Sequence, residues 1–266
     1  MGINYSYRKR RERARKRTFF AIVIIILVLI LLIILRQSQI RLFREVELPE
    51  ELIHQLPKIK KVEISHANVT TDADGDEIND QEDILQGAKL EVEKKAKNII
   101  AEGSINYFEG GDPPSDKAIS TDIIARALAN AGYDLRILVD NDIRDNFVEY
   151  PWELWEVKVA DPNIDYRRPE NLIVFFQRNA QSLILDIDPE NPQNLRQWIP
   201  GDIVFWDVNR NGSVDHCGII SDRPNNENVP YVIHNYLRPG HTIEEDILQK
   251  WLIVGHFRFP SKTIKE

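Results

Sequence analysis

One uninterrupted apolar segment constrains this chain of 266 residues more than any other feature. Residues 19–35 read FFAIVIIILVLILLIIL and include no charged or polar side chain. At about 1.5 Å of rise per residue, a helix of this length spans roughly 25 Å, enough to cross the hydrocarbon core of a bilayer. A cleaved signal peptide would end in a cleavage site of small residues, but RQSQIRLFRE follows here. Because the segment also lacks the polar face of a core helix, we predict one transmembrane helix at 19–35.

Charge is distributed unevenly on the two sides of this segment. Residues 1–18 carry eight basic side chains and one acidic side chain, which leaves a formal charge of −15 on residues 19–266. Basic residues stay on the cytoplasmic side of a membrane, so the sequence predicts a cytoplasmic tail at 1–18 and an acidic domain outside the cytoplasm. The acidic charge argues against nucleic acid as a partner. A single cysteine, Cys217, excludes an internal disulfide.

The remaining sequence predicts a stalk at 36–69, followed by one extracytoplasmic domain at 70–262. Apolar residues at helical spacing predict helices in the first part of this domain, whereas short apolar runs between proline, glycine and asparagine turns predict strands in the last third. The predicted helices lie around 84–92 and at 120–131, 136–147 and 170–179, and the predicted strands lie at 203–206, 217–221, 231–234 and 252–259. Helices followed by strands predict an α+β domain with a mostly antiparallel sheet.

Three side chains in this arrangement could form a catalytic site. Ser120 lies where a loop enters a predicted helix, and a helix N-terminus stabilises developing negative charge. His216 begins one strand and could act as a general base. His234 at the end of the next strand, or the adjacent Asn235, could orient the His216 ring. Each feature also has a structural explanation, since Ser-Thr-Asp is a common helix cap and strand histidines are often structural.

Longer motifs link this pattern to a known family. The following segments occur in this order over most of the predicted domain: DADGDEINDQEDILQGA, STDIIARALANAGYDL, DPNIDYRRPENLIVFF, WIPGDIVFW, DHCGIISDR, PYVIHN and IVGHFR. Together they resemble an uncharacterised bacterial family, domain-of-unknown-function family number 1287. The pattern PGDIVFW followed by HCGII, and YFEGG ahead of Ser120, are also similar to the NlpC-type cysteine peptidases, a papain-like superfamily that cuts peptide bonds in bacterial cell walls.

The resemblance implies a papain-like α+β fold, in which a helix bearing the nucleophile packs on an antiparallel sheet bearing the base. Carried over position by position, it implies Ser120 as nucleophile, His216 as base and His234 as the polar residue on the following strand. It also implies a peptidoglycan stem peptide or another cell-wall polymer as partner. We expect no organic cofactor.

Three further residues are candidates for substrate binding. Tyr107 begins the YFEGG motif, and Arg167 and Arg168 belong to the family-like segment DPNIDYRRPE. A guanidinium binds carboxylates well, so the two arginines could bind a carboxylate of a wall peptide. The alternative for the arginines is an internal ion pair with Asp161 or Asp165.

The nucleophile position departs from the family pattern, which has cysteine where this chain has Ser120. A helix N-terminus and a neighbouring imidazolium can ionise a thiol in advance, but a hydroxyl must lose its proton during the attack. Three functions therefore stay open: a weak serine hydrolase, a domain that binds the wall or a protein partner without turnover, and a calcium-stabilised structural ectodomain. Strand alternation predicts that Cys217 faces away from Ser120 and packs as a small apolar core residue.

An aspartate-rich segment precedes the first helix of the domain. In DADGDEINDQED, residues 72–83, carboxylates at positions 1, 3, 5, 9 and 12 and a main-chain carbonyl at position 7 match the ligand spacing of calcium loops. Glycine stands at position 4 rather than at position 6. The predicted calcium ligands are Asp72, Asp74, Asp76, Ile78, Asp80 and Asp83. A solvated acidic linker is the alternative.

Overall fold

The computed structural model describes residues 69–104 and 106–260, all of which belong to one unit, Ile59–Glu266. The predicted basic tail, transmembrane helix and almost all of the stalk lie outside the described residues, so these stay predictions. Within the described part, no helix is both long and apolar enough to cross a membrane.

The first helix, α1, covers Asp80–Lys94 and follows directly from the aspartate-rich segment. Asn79 caps it, because the Asn79 side-chain oxygen accepts the N–H of Glu82 at 3.1 Å. Three acidic residues in the first turn also interact favourably with the helix dipole. Gly87 allows the next helix to approach closely, since a Cβ atom at this position would lie 2.9 Å from the Cα atom of Ala127.

Helix α2 covers Ser120–Asn130 and lies in the core. Its N-cap is Ile119, whose N–H donates to Oδ2 of Asp122 at 2.8 Å. Ser120 is therefore the first helical residue, and its hydroxyl is not used as the cap. The buried apolar residues of α2 are Ile123, Ile124, Ala127 and Leu128.

In the described residues, three further α-helices follow: Leu135–Asp145 (α3), Pro169–Asn179 (α4) and Pro192–Leu195 (α5). Asp134 caps α3 through its side chain, and Pro169 occupies the first position of α4, where its missing N–H is tolerated. Short 3₁₀ turns at Phe147–Glu149, Trp152–Leu154 and Asp165–Arg167 connect these helices. The helices predicted at 120–131, 136–147 and 170–179 are confirmed, with ends shifted by at most two residues.

The described strands form a parallel pair and a larger antiparallel sheet. The parallel pair joins Lys97–Asn98 (β1) to Lys117–Ala118 (β2). The larger sheet has the order β3-β8-β4-β5-β6-β7, and its strands are Gln181–Ser182 (β3), Ile203–Asp207 (β4), His216–Pro224 (β5), Pro230–Asn235 (β6), Thr242–Glu245 (β7) and Leu252–Arg258 (β8). The four predicted strands correspond to β4, β5, β6 and β8. The structure therefore confirms the α+β class with an antiparallel sheet.

The two faces of the sheet bury two different apolar clusters. The larger cluster includes Phe205 and Cys217 together with the buried residues of α2 and α4. The smaller cluster includes Trp206 and lies on the opposite face. In the pairing of β4 with β5, His216 lies opposite Trp206, and the two rings stack with centroids 5.6 Å apart. His216 therefore lies on the Trp206 face, whereas Cys217 lies on the face that packs against α2.

Candidate active site

A cavity of about 480 Å³ lies between the start of α2, the start of β5 and the end of β6. Its wall includes Ser120, His216 and Asn235, the three residues at those positions. Residues from connecting segments complete the wall, among them Trp155, Arg168, Glu170, Asp215 and Tyr236. The structure thus brings the predicted nucleophile and the predicted base to one cavity.

Ser120 is well placed to act at the N-terminus of α2. Its side chain is buried, with a relative exposure of 6% for the residue. Because Asp122 caps the helix, the Ser120 hydroxyl is available for other contacts. Within the described residues, the main-chain N–H groups of Ser120 and Thr121 have no hydrogen-bond acceptor. Free N–H groups at a helix start can stabilise an oxyanion.

Two histidines and a glutamate form a chain of hydrogen bonds beside this serine. Nε2 of His216 lies 2.9 Å from Nδ1 of His234, and Nε2 of His234 lies 3.1 Å from Oε2 of Glu245. A carboxylate only accepts, so His234 carries its proton on Nε2 and accepts from His216 at Nδ1. His216 then carries its proton on Nε2. Its Nδ1, which has no hydrogen-bond partner among the described residues, is left with a free lone pair.

Burial sets the protonation of both rings. Removal from water lowers the pKa of His216 well below its ordinary value, and the neighbouring His234 acts in the same direction. Burial also lowers the pKa of His234, although the hydrogen bond and the charge of Glu245 act against this effect. Both imidazoles are therefore neutral at pH 7, which is the state that a general base requires.

Sequence reasoning did not identify Glu245. Strand β7 has only four residues, TIEE, and this polar composition was not recognised as a strand. In the pairing of β6 with β7, His234 lies opposite Ile243, and Glu245 is two residues further along on the same face. The turn-forming sequence RPG between His234 and β7 was the available signal, because it indicates a hairpin that returns side chains to β6.

The prediction for Cys217 was half right. Cys217 is completely buried in the core, as expected for a small apolar residue. The prediction that it faces away from Ser120 was wrong, because Cys217 lies on the sheet face that packs against α2, where the Ser120 side chain is near enough to act on the thiol. Burial raises the pKa of the thiol to about 12, and the nearby Ser120 side chain acts against this effect. Within the described residues, no hydrogen bond joins Ser120 to His216.

Asn235 lines the cavity, but its side chain hydrogen-bonds to residues that hold neighbouring segments together. Its Nδ2 donates to the main-chain oxygen of Ala96 and to Oγ1 of Thr242, both at 2.9 Å, and its Oδ1 accepts from Asn98 at 2.7 Å. In the described residues it makes no hydrogen bond to either histidine of the site. Of the two candidates for orienting His216, the structure therefore gives His234 the direct contact.

The two adjacent arginines have different surroundings. Arg167 is buried, and its Nε and Nη2 donate to both carboxylate oxygens of Asp122 at 2.6 and 2.9 Å. Its other hydrogen bonds go to Asn106. Arg168 pairs with Asp165 at 2.8 Å and lies over the ring of Trp155 at 4.3 Å from the centroid. Both line the cavity, but Arg168 is the one whose guanidinium is partly exposed.

Tyr107 lies on the surface rather than in the cavity wall. Its side chain is about half exposed, and its hydroxyl donates to Oδ2 of Asp161 at 3.0 Å. The same hydroxyl accepts from Nδ2 of Asn163 at 3.2 Å. These contacts hold the segment before α2 against the loop that carries Arg167 and Arg168. A role of Tyr107 in substrate binding stays a prediction.

The aspartate-rich segment brings together three of its six predicted ligands. Asp72, Asp74 and Asp76 each offer a carboxylate oxygen, and these three atoms lie within 4.8 Å of one another. The carboxylate of Asp80 has other partners, since it accepts a main-chain N–H of the loop at 2.9 Å and the hydroxyl of Tyr133 at 2.7 Å. Asp80 therefore fastens the loop to the start of α1 and to the turn after α2.

The two remaining predicted ligands lie on either side of the helix start. Ile78 precedes the Asn79 cap, and its N–H donates to Oδ1 of Asp76 at 2.8 Å. Asp83 lies in the first turn of α1 and is only 3% exposed. Burial, followed by the negative charges of Asp76 and Asp74, raises the pKa of the Asp83 carboxyl to about 6.

The family model described as "Domain of unknown function (DUF1287)" matches residues 85–259. This chain belongs to the DUF1287 family. The matched segment contains Ser120, His216, His234 and Glu245, whereas the aspartate-rich segment precedes it. The chain is also similar to the "Uncharacterized protein YijF" of Escherichia coli (strain K12), with 38% identity over 152 residues that cover 57% of this chain and 69% of that protein.

Among solved structures, this DUF1287 member is similar to crystal structures of an N-acetylmuramoyl-L-alanine amidase from Bacteroides uniformis ATCC 8492. Two of them have 11% and 13% sequence identity and TM-scores of 0.35 and 0.36, and each alignment covers 67% of this chain and 98% of the amidase chain.

Proposed function

We propose that this domain is a peptide amide hydrolase of the bacterial cell wall with a papain-like arrangement, in which Ser120 is the nucleophile and His216 the general base. The observation that carries the proposal is the hydrogen-bond chain from Glu245 through His234 to His216, beside the cavity that Ser120 also lines. This chain orients the His216 ring and leaves its Nδ1 able to accept a proton.

In the proposed reaction, Nδ1 of His216 accepts the hydroxyl proton of Ser120 as the serine oxygen attacks the carbonyl carbon of a peptide bond. The free N–H groups of Ser120 and Thr121 stabilise the negative charge that develops on the carbonyl oxygen. His216 then donates the proton to the leaving amine. Water, deprotonated by the same ring, hydrolyses the ester formed on Ser120. His234 and Glu245 stabilise the transient imidazolium.

Turnover by this site is expected to be slow. A serine hydroxyl is not ionised in advance, so the base must remove its proton during the attack. Within the described residues, the Ser120 hydroxyl also makes no hydrogen bond to His216, so it must turn toward that ring before it can react. Both features lower the fraction of encounters that reach the transition state.

The resemblance to NlpC-type peptidases supports a peptidoglycan stem peptide as the substrate. The cavity wall is compatible with such a peptide, because Arg168 offers a positive charge, and Glu170 and Asp215 offer carboxyl groups. Stem peptides carry both carboxylates and amines, which these groups could bind. The predicted transmembrane helix at 19–35 would hold the domain on the outer side of the membrane, beside the wall polymer.

A second candidate function is binding of a wall peptide without turnover. Within the described residues, the absence of a hydrogen bond from the Ser120 hydroxyl to His216 favours this function. The charged cavity would then retain its ligand while the serine stays unactivated.

Soluble muropeptides incubated with the purified full chain distinguish the two functions. We expect slow release of a new amino terminus, detected by mass spectrometry, and loss of this activity in Ser120→Ala and in His216→Ala. Calorimetric binding of the same muropeptides, with no cleavage by the native chain, would support the binding function and contradict the hydrolase.

A further inference from the structure

The loop formed by residues 72–77 concentrates negative charge at the start of the domain. Oxygens of Asp72, Asp74 and Asp76 converge to within 4.8 Å, and all three residues are exposed. No lysine or arginine of the described residues forms an ion pair with any of them. Main-chain N–H groups of the loop donate to Asp72 and Asp76, and a cation between the carboxylates would offset the repulsion that is left.

A buried carboxylate beside this cluster supplies an independent observation. Asp83 is 3% exposed, and its Oδ2 is buried with no hydrogen-bond partner among the described residues. A buried, unpartnered carboxylate oxygen is costly, and native proteins normally satisfy such a group with a donor or a cation. Asp83 follows Asp80 by three residues on α1, so both lie on the same helix face. The loop packs against that face, because the main-chain N–H of Ala73 in the loop donates to Oδ1 of Asp80 at 2.9 Å.

The electrostatics of Asp83 agree with this placement. After burial, the carboxylates of Asp76 and Asp74 act on it most strongly and hold its ionised form at higher energy. Asp76 and Asp74 are thus near enough to Asp83 to act on its charge. One cation between them would relieve the repulsion and satisfy Oδ2 of Asp83 at the same time.

We propose that this loop and the first turn of α1 form a calcium site, with Asp72, Asp74, Asp76 and Asp83 as side-chain ligands and the carbonyl oxygen of Ile78 as a main-chain ligand. Among the described residues, that carbonyl oxygen accepts no hydrogen bond. These ligands are at loop positions 1, 3, 5, 7 and 12. Asp80 is a positioning residue, because both of its oxygens accept hydrogen bonds that fasten the loop.

The oxygen ligands of this proposed site favour calcium over other metal ions. All five ligand atoms are hard oxygens, and none comes from histidine or cysteine, which zinc prefers. Four carboxylates from the loop and the first turn of α1 suit calcium better than magnesium, which requires a compact octahedron and retains its water. The dissociation constant expected for an extracellular site of this kind is on the order of 10⁻⁴–10⁻³ M.

The site would stabilise the contact between α1 and α2. Gly132, in the turn after α2, lies directly against the loop, since a Cβ atom there would be 3.1 Å from Cβ of Asp74. Tyr133 in the same turn donates to Asp80 at 2.7 Å. An ion in the loop would therefore hold the start of α1 to the end of α2, the helix that begins with Ser120.

Thermal unfolding and calorimetry of the full chain test the site. After removal of metal with a chelator, we expect calcium chloride at millimolar concentration to raise the melting temperature, whereas sodium chloride of equal ionic strength does not. Asp74→Asn and Asp83→Asn should each weaken calcium binding at least tenfold. Glu93→Gln removes the same charge from the exposed surface of α1 and should leave binding unchanged.

Each possible result decides the proposal. Asp83→Asn could change the stability of the metal-free chain by relieving a buried charge, so the calcium response of each variant is compared with its own metal-free state. Absence of binding heat and of any calcium-specific shift in the native chain would overturn the site. A native calcium response in Asp74→Asn, an exposed position where folding is not at risk, would also overturn it.

Discussion

Nε2 of His216 lies 2.9 Å from Nδ1 of His234, so two buried imidazoles share one hydrogen bond. Glu245 accepts the remaining ring proton of His234 at 3.1 Å, and this contact decides which nitrogen of each ring carries hydrogen. His216 is consequently oriented with a free nitrogen, as a general base must be. Its position at the wall of a cavity shared with Ser120 gives this pair a functional interpretation.

The first prediction concerns the protonation of this pair. Burial lowers the pKa of both rings, so we expect NMR titration of His216 and His234 to give midpoints below the ordinary value of about 6.5. In the unfolded chain both rings take up protons near pH 6.5, and in the folded chain they do not. The pair therefore lowers the free energy of unfolding as the pH falls through that range.

Glu245→Gln provides the matched variant for this titration. The glutamate raises the pKa of His234 against the effect of burial, so its replacement by a neutral amide should lower the His234 midpoint further. A His234 midpoint that rises in Glu245→Gln, or native midpoints above 6.5, would contradict the hydrogen-bond chain described here.

The second prediction concerns the ion pair of Arg167 and Asp122. Both side chains are fully buried, and Nε of Arg167 lies 2.6 Å from Oδ1 of Asp122. Arg167→Met would leave the Asp122 carboxylate buried without its partner, so we expect a loss of about 3–5 kcal/mol in the free energy of unfolding, measured with urea. The control Arg144→Met breaks a pair whose arginine is 60% exposed, and should leave the free energy of unfolding almost unchanged. Equal losses of unfolding free energy in both variants would show that the buried pair stabilises the fold no more than the exposed pair does.

The third prediction concerns the single native thiol. Cys217 is completely buried and its pKa is raised to about 12, so a disulfide reagent at pH 8 should label the folded native chain far more slowly than the chain in urea. Ser120→Cys places a thiol at a helix N-terminus, where the dipole favours the thiolate. We expect this variant to react rapidly with one equivalent of reagent. Rapid labelling of the folded native chain would contradict the burial of Cys217.

The main elements of the fold could be predicted because their signals are local. The sequence Ser-Thr-Asp predicts the start of α2, and apolar runs predict β5 and β6. His216 and His234 could therefore be placed on neighbouring strands. The sheet face on which Cys217 lies could not be predicted from such a local signal. Strand alternation shows that residues 216 and 217 point to opposite faces, but not which face packs against α2.

Contacts between segments that are distant along the chain could not be predicted from the sequence pattern. The partner of Arg167 was expected nearby, at Asp161 or Asp165, but it is Asp122 on α2. The neighbouring Arg168 does pair with Asp165, as the alternative interpretation held. Glu245 was missed because β7 is short and polar, and only the hairpin brings it to His234. In each case the three-dimensional packing of elements, rather than local preference, decides the contact.

The most direct test of the proposed site compares muropeptide hydrolysis by the native full chain, by Ser120→Cys and by Ser120→Cys combined with His216→Ala. A thiol at position 120 transfers its proton to His216 more readily than a hydroxyl does, so Ser120→Cys should cleave at least about tenfold faster than the native chain. The double variant should fall to background, because the base is gone. Absence of cleavage by both the native chain and Ser120→Cys, or undiminished cleavage by the double variant, would contradict the hydrolase built on Ser120 and His216.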